Sequence, residues 1–415
     1  MKKTYLLVAL TVFTSFIYGQ QIKSYDLDVA INMALKTINV KGTIAIDFEE
    51  QQNIKTVLWK NTKINSILVN THPANYIFES DKPTPIIFID EGRGLILNNT
   101  TKKVGTVEFV VDYESDFTGM ETSAESFTEE WLQIGFYNAW FPVNLNSKKA
   151  TSKLRVSIDS AYKVSGSGKI SKKGDHWEIN QPWGAYDNVI IAAKDLNSNQ
   201  AKKGTATIET VYTDFPEADI QSIISTSQTV LDYFGKIYPK QKESYIKFVV
   251  KHSANGGGGY NRANFISLRL KEYGLSTQKT IAHEVAHFWA TGADATTWQD
   301  WLNESFAEYS ALLYVRDNIS TETYTDYIEA YKKSSIDAPA IWNFNRSSNA
   351  AYTVLYKKGA VILHDLESKI GMDQMFKLLY LKHTKDIKNT ADFLELLEQQ
   401  TSKDIRNWLE TALKS

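Results

Sequence analysis

The sequence predicts two successive architectures, an all-β sandwich and then a mainly α, α+β domain. Three observations carry this. Apolar and polar residues alternate at period two through most of the first half. The period changes to a helical one near Pro216. The chain has 415 residues, which at about 150 residues per domain is the length of two to three domains. Hydrophobic residues make up 43% and charged residues 23%, the balance of a globular protein rather than a disordered one. The net charge of −2 argues against a nucleic-acid binder working through a basic surface. Cys is absent, which excludes disulfides, thiolate metal sites and cysteine nucleophiles in this chain. There are only 7 His, so a local cluster of them is informative.

Residues 1–19 read as an export signal. Lys2 and Lys3 precede an apolar stretch from about Leu6 to Ile17, and Gly19 offers a small residue before the cut. The stretch is short for a bilayer span of about 20 apolar residues. The expected mature protein is exported, periplasmic or extracellular, and keeps no stable membrane anchor after cleavage.

Residues 20–203 form the expected β-sandwich. Ile38, Val40, Ile44, Ile46 and Phe48 alternate with Asn39, Lys41, Thr43 and Asp47, and similar alternation recurs at 106–113, 154–158 and 205–212. The second domain is expected over 204–415. Ile220, Ile223, Ile224, Leu231 and Phe234 mark one helical face, with Gly235 as a candidate end. Strands are expected at 245–250 and around 265–270, separated by a glycine run. Helical patterns dominate from Ser276, and two amphipathic helices close the chain at 390–399 and 402–413.

The chemistry lies in Thr280-Ile281-Ala282-His283-Glu284-Val285-Ala286-His287-Phe288-Trp289, a HExxH motif in a helical setting. Ser276 or Thr277 is a candidate start cap and Gly292 a candidate end. Residues four apart share a helix face, so both imidazoles can reach one ion at about 2.0–2.1 Å. Glu284 can approach a water at that ion without ligating it, which is the metallopeptidase use of the motif. A catalytic zinc needs a third protein ligand. Glu304, in Trp301-Leu302-Asn303-Glu304-Ser305-Phe306-Ala307-Glu308-Tyr309, sits on a second helical pattern after sixteen intervening residues.

HEVAHFW followed by WLNESFAEY resembles the gluzincin zinc peptidases, specifically the alanyl aminopeptidase family. The resemblance implies a saddle-like β domain and a thermolysin-like catalytic domain, in a short form without the large C-terminal helical domain of many members. It implies one Zn2+ per chain held by His283, His287 and Glu304, Glu284 as general base, and Glu308 as the carboxylate that orients a ligand histidine. Tyr352-Thr353-Val354-Leu355-Tyr356-Lys357-Lys358-Gly359 looks like the family's Y-x-K-G stretch, which makes Tyr356 the donor to the oxyanion, with Tyr352 as the local alternative. Trp131 and Tyr137–Pro142 are similar to the aromatic-Pro segment of the first domain.

There are departures. The family's gap of eighteen residues is sixteen here, and Ser305 replaces a glycine. The family's G-x-M-E-N loop, whose Glu pairs with the substrate's α-amine, is matched by Gly258, Gly259, Tyr260, Asn261 and Arg262. These are the expected substrate-binding residues, with Asn261 where the family has Glu and Arg262 set to repel an ammonium group. Glu121, Glu125 and Glu129 of the first domain are candidate replacements for the missing acid. The sequence therefore points to an exported zinc metallopeptidase acting on peptides, aminopeptidase-like with an altered anchor. An endopeptidase on the same site and a non-catalytic zinc-containing peptide-binding protein are the alternatives.

Overall fold

Alternation becomes sheet, as the strand Gln21–Asn32 illustrates: Leu27, Val29 and Ile31 are buried while Asp26, Asp28 and Ala30 face solvent. The computed structural model describes residues 20–415 apart from 50–52, 85–87, 90, 102–103, 121–123, 145–146, 148–149, 204–205, 240–244 and 255–257. The export segment, Glu121 and two glycines of the run, Gly256 and Gly257, lie outside the described residues.

Gln21–Asn32 pairs antiparallel with Thr37–Phe48, setting Val29 opposite Val40, and parallel with Thr151–Ser157, setting Leu27 opposite Leu154. These belong to an eight-stranded sheet. A four-stranded sheet that includes Leu132–Ile134 and Ile190–Ala193, and a three-stranded sheet around Gly92–Asn98, complete the domain. Leu27, Ile44, Phe109, Leu97, Leu132 and Ile190 meet in one core drawn from all three sheets. The aromatic-Pro segment fills it. Trp140 and Phe141 are fully buried, and Trp140 donates through Nε1 to the Asn188 carbonyl at 2.7 Å.

The second architecture begins before residue 204. Asn197–Lys203 pairs with Ala206–Tyr212, which runs parallel to Tyr245–His252 in a five-stranded sheet completed by Phe265–Leu270 and, at its edge, Gly258–Arg262. Both strands of the 197–212 hairpin have the same period, so no change of pattern marks the boundary. Helix α1 (Glu217–Ile237) crosses from Ala206–Tyr212 to Tyr245–His252. It does not stop at Gly235, because Ile237 and Tyr238 bury their side chains against the same core and hold the helix on.

Helix α2 (Leu275–Ala286) starts one residue after Gly274 with no side-chain cap, so Ser276 and Thr277 lie inside it. Thr277 donates to the Glu272 carbonyl instead. The helix closes at His287, and Gly292, at φ +99°, belongs to the following turn. Helices α3 (Trp301–Asn318), α4 (Thr321–Ser334), α5 (Gly359–Ile370), α6 (Met372–Thr384), α7 (Thr390–Gln400) and α8 (Lys403–Lys414) follow. Asn389 and Ser402 cap the last two through their side chains. Among the described residues no helix is long and apolar enough to cross a membrane.

The domains share a third core. Trp131, Ile191 and Leu196 of the first meet Val211, Val249, Tyr260 and Phe265 of the second. Gln133 donates through Nε2 to Tyr260 Oη at 2.9 Å and to Ser267 Oγ at 3.0 Å. The fully buried Lys247 donates to Ser165 Oγ and the Gly168 carbonyl at 3.1 and 3.0 Å.

Candidate active site

Two helices carry the central residues. His283 and Glu284 lie in the last turn of α2, and His287 closes it in helical conformation at φ −62°. Glu304 sits in the first turn of α3. The connection between them is short and is pinned by Asn303, whose side chain donates to the Ala293 carbonyl at 3.2 Å and accepts from the Ala293 N–H at 3.1 Å.

The Nε2 atoms of His283 and His287 lie 3.2 Å apart, and each is 3.4 Å from Glu304 Oε2. A tetrahedral ion with bonds of about 2.0–2.1 Å separates its ligand atoms by about 3.3–3.4 Å. The three donors fit one such ion. Glu304 Oε2 is buried and accepts no hydrogen bond, an arrangement that costs free energy unless a cation meets it. The electrostatics agree. Burial pushes the His283 imidazole down, but Glu304 and Glu308 outweigh it and lift it to about 10. Burial raises the Glu304 carboxyl, yet the two histidines hold it well below the usual carboxylate range. The pocket is built for positive charge.

A row of carboxylates on α3 explains which one is left for the ion. Asp300, Glu304 and Glu308 are spaced by four and share one face. Glu308 is paired with Lys279, accepts from Tyr331 Oη, and lies 2.8 Å from His283 Nδ1, fixing that ring. Asp300 is paired with Arg346 at 2.7 Å. Glu304, between them, faces no Lys or Arg among the described residues, only the imidazoles of His283 and His287.

Tyr356 enters from a π-helical turn, Tyr352–Lys358, that runs into α5. Its ring stacks on His283, with centroids 5.6 Å apart and planes inclined by 13°. Ser305, the departure from glycine, is accommodated here. Its Oγ donates to the Leu355 carbonyl at 2.6 Å, and Gly359 leaves it room, since a Cβ there would stand 1.7 Å from Ser305 Oγ. The helix of Glu304 and the turn of Tyr356 are thereby tied together.

Residues 267–411 match the model described as the peptidase family M1 domain. This part of the chain is a peptidase family M1 domain. The chain is also similar in fold to the M1 zinc metallopeptidase from Deinococcus radiodurans, with a TM-score of 0.74 over 96% of this chain and 94% of that one at 15% identity. A mutant of that enzyme bound to a Tyr-Ser-Ala substrate gives 0.71 over 96% and 94% at 16% identity. Leukotriene A4 hydrolase from Saccharomyces cerevisiae gives 0.73 at 18% identity, over 95% of this chain and 68% of that one. No curated protein matches in sequence. The metal of an M1 domain is zinc, and the three donors fit it.

The edge strand Gly258–Arg262, which precedes the matched residues, divides its residues by face. Gly259 and Asn261 turn toward α2. A Cβ on Gly259 would stand 2.5 Å from the Ser267 carbonyl oxygen and 3.1 Å from Glu284 Oε1, so only glycine lets the strand lie this close to the carboxylate. Asn261 donates through Nδ2 to the Glu284 backbone carbonyl at 2.8 Å. Gly258 adopts φ +78° with open space around it.

Tyr260 and Arg262, expected at the substrate, turn to the first domain instead, because alternate residues of a strand face opposite ways. Arg262 pairs with Asp187 at 3.2 Å and lies among the rings of Phe136, Tyr137, Tyr186 and Tyr260, 4.9–5.5 Å from their centroids. Of the candidate acids, Glu125 is buried and accepts from the backbone N–H and side chain of Asn138 at 3.0 and 2.6 Å. Glu129 is exposed, on a surface cavity with Ile31 and Tyr162. Sequence reasoning did not single out Lys279, Tyr331, Asp300, Arg346 or Asp187, none of which stands in a motif.

Replacing Glu308 with Gln should weaken zinc binding by about 10- to 100-fold, the usual cost of losing the partner of a ligand histidine. Chelator competition measures it. Unchanged affinity would mean that Lys279 and Tyr331, not His283, are what Glu308 serves.

Proposed function

We propose that this protein is an exported zinc metallopeptidase of aminopeptidase-like build whose hold on the substrate's amino terminus is weakened. Export rests on the residues of 1–19 alone. The observation that carries the peptidase reading is the position of Glu284 between the three-donor cluster and the edge strand. An extended peptide can add to the free side of Gly258–Arg262 by backbone hydrogen bonds, and Gly259 keeps that edge against the Glu284 carboxylate.

His283, His287 and Glu304 would hold the zinc, which when bound polarises a carbonyl and makes water a stronger nucleophile. Glu284 takes the proton from the attacking water and delivers it to the leaving amine. The residue is only 4% exposed, and burial raises its carboxyl above the ordinary range although the two histidines pull it back. Tyr356 donates to the oxygen on which negative charge develops. Burial, with Glu304 and Asp300 near, raises its phenol well above the usual value, so it stays a donor.

The amino-terminus reading rests on Asn261 and Glu125. Asn261 cannot neutralise an ammonium group, and its Nδ2 is committed to α2. Glu125 is committed to Asn138. The experiment is a pair of fluorogenic peptides of one sequence, free and acetylated at the amino end, given to protein of measured zinc content. One zinc per chain and cleavage of both peptides within about tenfold of each other are expected, since a charge-assisted anchor is worth more than that. Cleavage of the free peptide alone would restore a full anchor. Zinc without any cleavage would favour a peptide-binding protein.

A further inference from the structure

The two cations that flank Glu304 on α3 are not equivalent. Lys279 is consumed: it pairs with Glu308, which also takes Tyr331. Arg346 is only partly engaged. Its Nε donates to Asp300 Oδ2 at 2.7 Å, and one guanidinium face lies on the ring of Phe88 from the first domain at 5.0 Å. The other oxygen of Asp300 takes Asn303 Nδ2 at 2.9 Å. The two Nη groups make no hydrogen bond among the described residues, and neither is a buried orphan, so solvent reaches them. The side chain as a whole is only 10% exposed. A rigid fork therefore presents one free edge.

The guanidinium lies near the reacting groups. Asp300 precedes Glu304 by four residues, roughly 6 Å along the helix. Tyr356 and Glu304 both feel the Arg346 charge. An extended chain advances about 3.3–3.6 Å per residue, so a group one or two residues from the scissile bond comes within reach. The complementary side of the cleft carries neutral Asn261 in place of an acid. The charge offered to a substrate is thus a guanidinium fork, whose geometry matches a carboxylate.

We infer that Arg346 recognises a substrate carboxylate close to the scissile bond, either an acidic side chain or the C-terminal carboxylate of a short peptide. The inference rests on the peptidase reading for where the scissile bond lies.

Two sets of peptide pairs test it. The first set is tripeptides with a free or an amidated C-terminus. The second is acetylated and amidated hexapeptides with Glu or Gln at each position flanking the bond. Kd is measured on full-length, zinc-loaded Glu284→Gln protein, and kcat/KM on the unsubstituted enzyme. In one set the carboxylate peptide should bind about 10- to 100-fold tighter than its amide, the worth of hydrogen bonds to a charged group. A preference in the first set assigns the terminal carboxylate, and in the second an acidic side chain. Adding Arg346→Gln should bring the ratio close to one. Should the lone substitution misfold because Asp300 is left buried and unpaired, Asp300→Asn with Arg346→Gln carries the same test. Ratios near one in both sets, no measurable binding of any carboxylate peptide, or a preference that survives Arg346→Gln each overturns the inference. A mere staple to Phe88 would lower the melting temperature and leave the ratio in place. If the unsubstituted enzyme cleaves none of these peptides the peptidase reading falls, while the Kd ratios still decide the role of Arg346.

Discussion

Glu284→Gln should retain its zinc and lose about 10²- to 10⁴-fold in turnover, the range of a positioned general base. Gln keeps the volume and polarity of Glu, so the packing around a residue that is 4% exposed is preserved. The residue is not one of the three clustered donors, so metal content should not follow activity. What disappears is the proton acceptor. Steady-state rates with zinc stoichiometry on the same preparation provide the check. Turnover within tenfold of the unsubstituted protein would remove Glu284 from the reaction.

Tyr356→Phe should lower kcat by about 10²- to 10³-fold, the scale for one oxyanion donor, with KM nearly unchanged. The hydroxyl acts mainly when charge has developed on the substrate, so its loss falls on the transition state. Phe keeps the ring that stacks on His283, which separates loss of the hydroxyl from damage to the ligand set. Tyr352 is the competing donor. It is 53% exposed and sits against Lys357 at 5.1 Å, farther out on the same turn. Unchanged kcat in Tyr356→Phe would pass the role to Tyr352, and the same substitution there would then show the loss.

The order of elements and the central residues were legible because their signals are local. His283 and His287 are four apart on one helix, and Glu304 lies at the head of the next. Period two and helical period separate the two architectures well enough to locate six of the strands, four of them within two residues at each end, and the last two helices within one residue. Long-range partnerships were not legible. Arg346 and Asp300 are 46 positions apart, and Arg262 and Asp187 lie on different domains, so no spacing joins them. The 197–212 hairpin escaped because strands of either domain alternate alike. Gly235 misled as a helix end because tertiary packing of Ile237 outweighs its local cost of about 1 kcal/mol. Tyr260 and Arg262 could have been read correctly. Alternation along a strand already puts them on the face opposite Gly259 and Asn261, once Gly258–Arg262 is taken as a strand rather than a loop.

That strand joins two traits that are usually separable. Tyr260 and Arg262 hold the domains together, and Gly259 and Asn261 face the motif helix. A single insertion or deletion within it would exchange the two sets. An arginine would then be driven against the HExxH helix, and a glycine and an amide would be left facing Asp187 and the aromatic rings. Insertions and deletions should therefore be tolerated only outside 258–262. Substrate preference can change here only by point substitution at Gly259 or Asn261, and Gly259 is barred by the carbonyl of Ser267. Asn261 remains as the position on that face where a side chain can be exchanged, at the cost of its hydrogen bond to the Glu284 carbonyl.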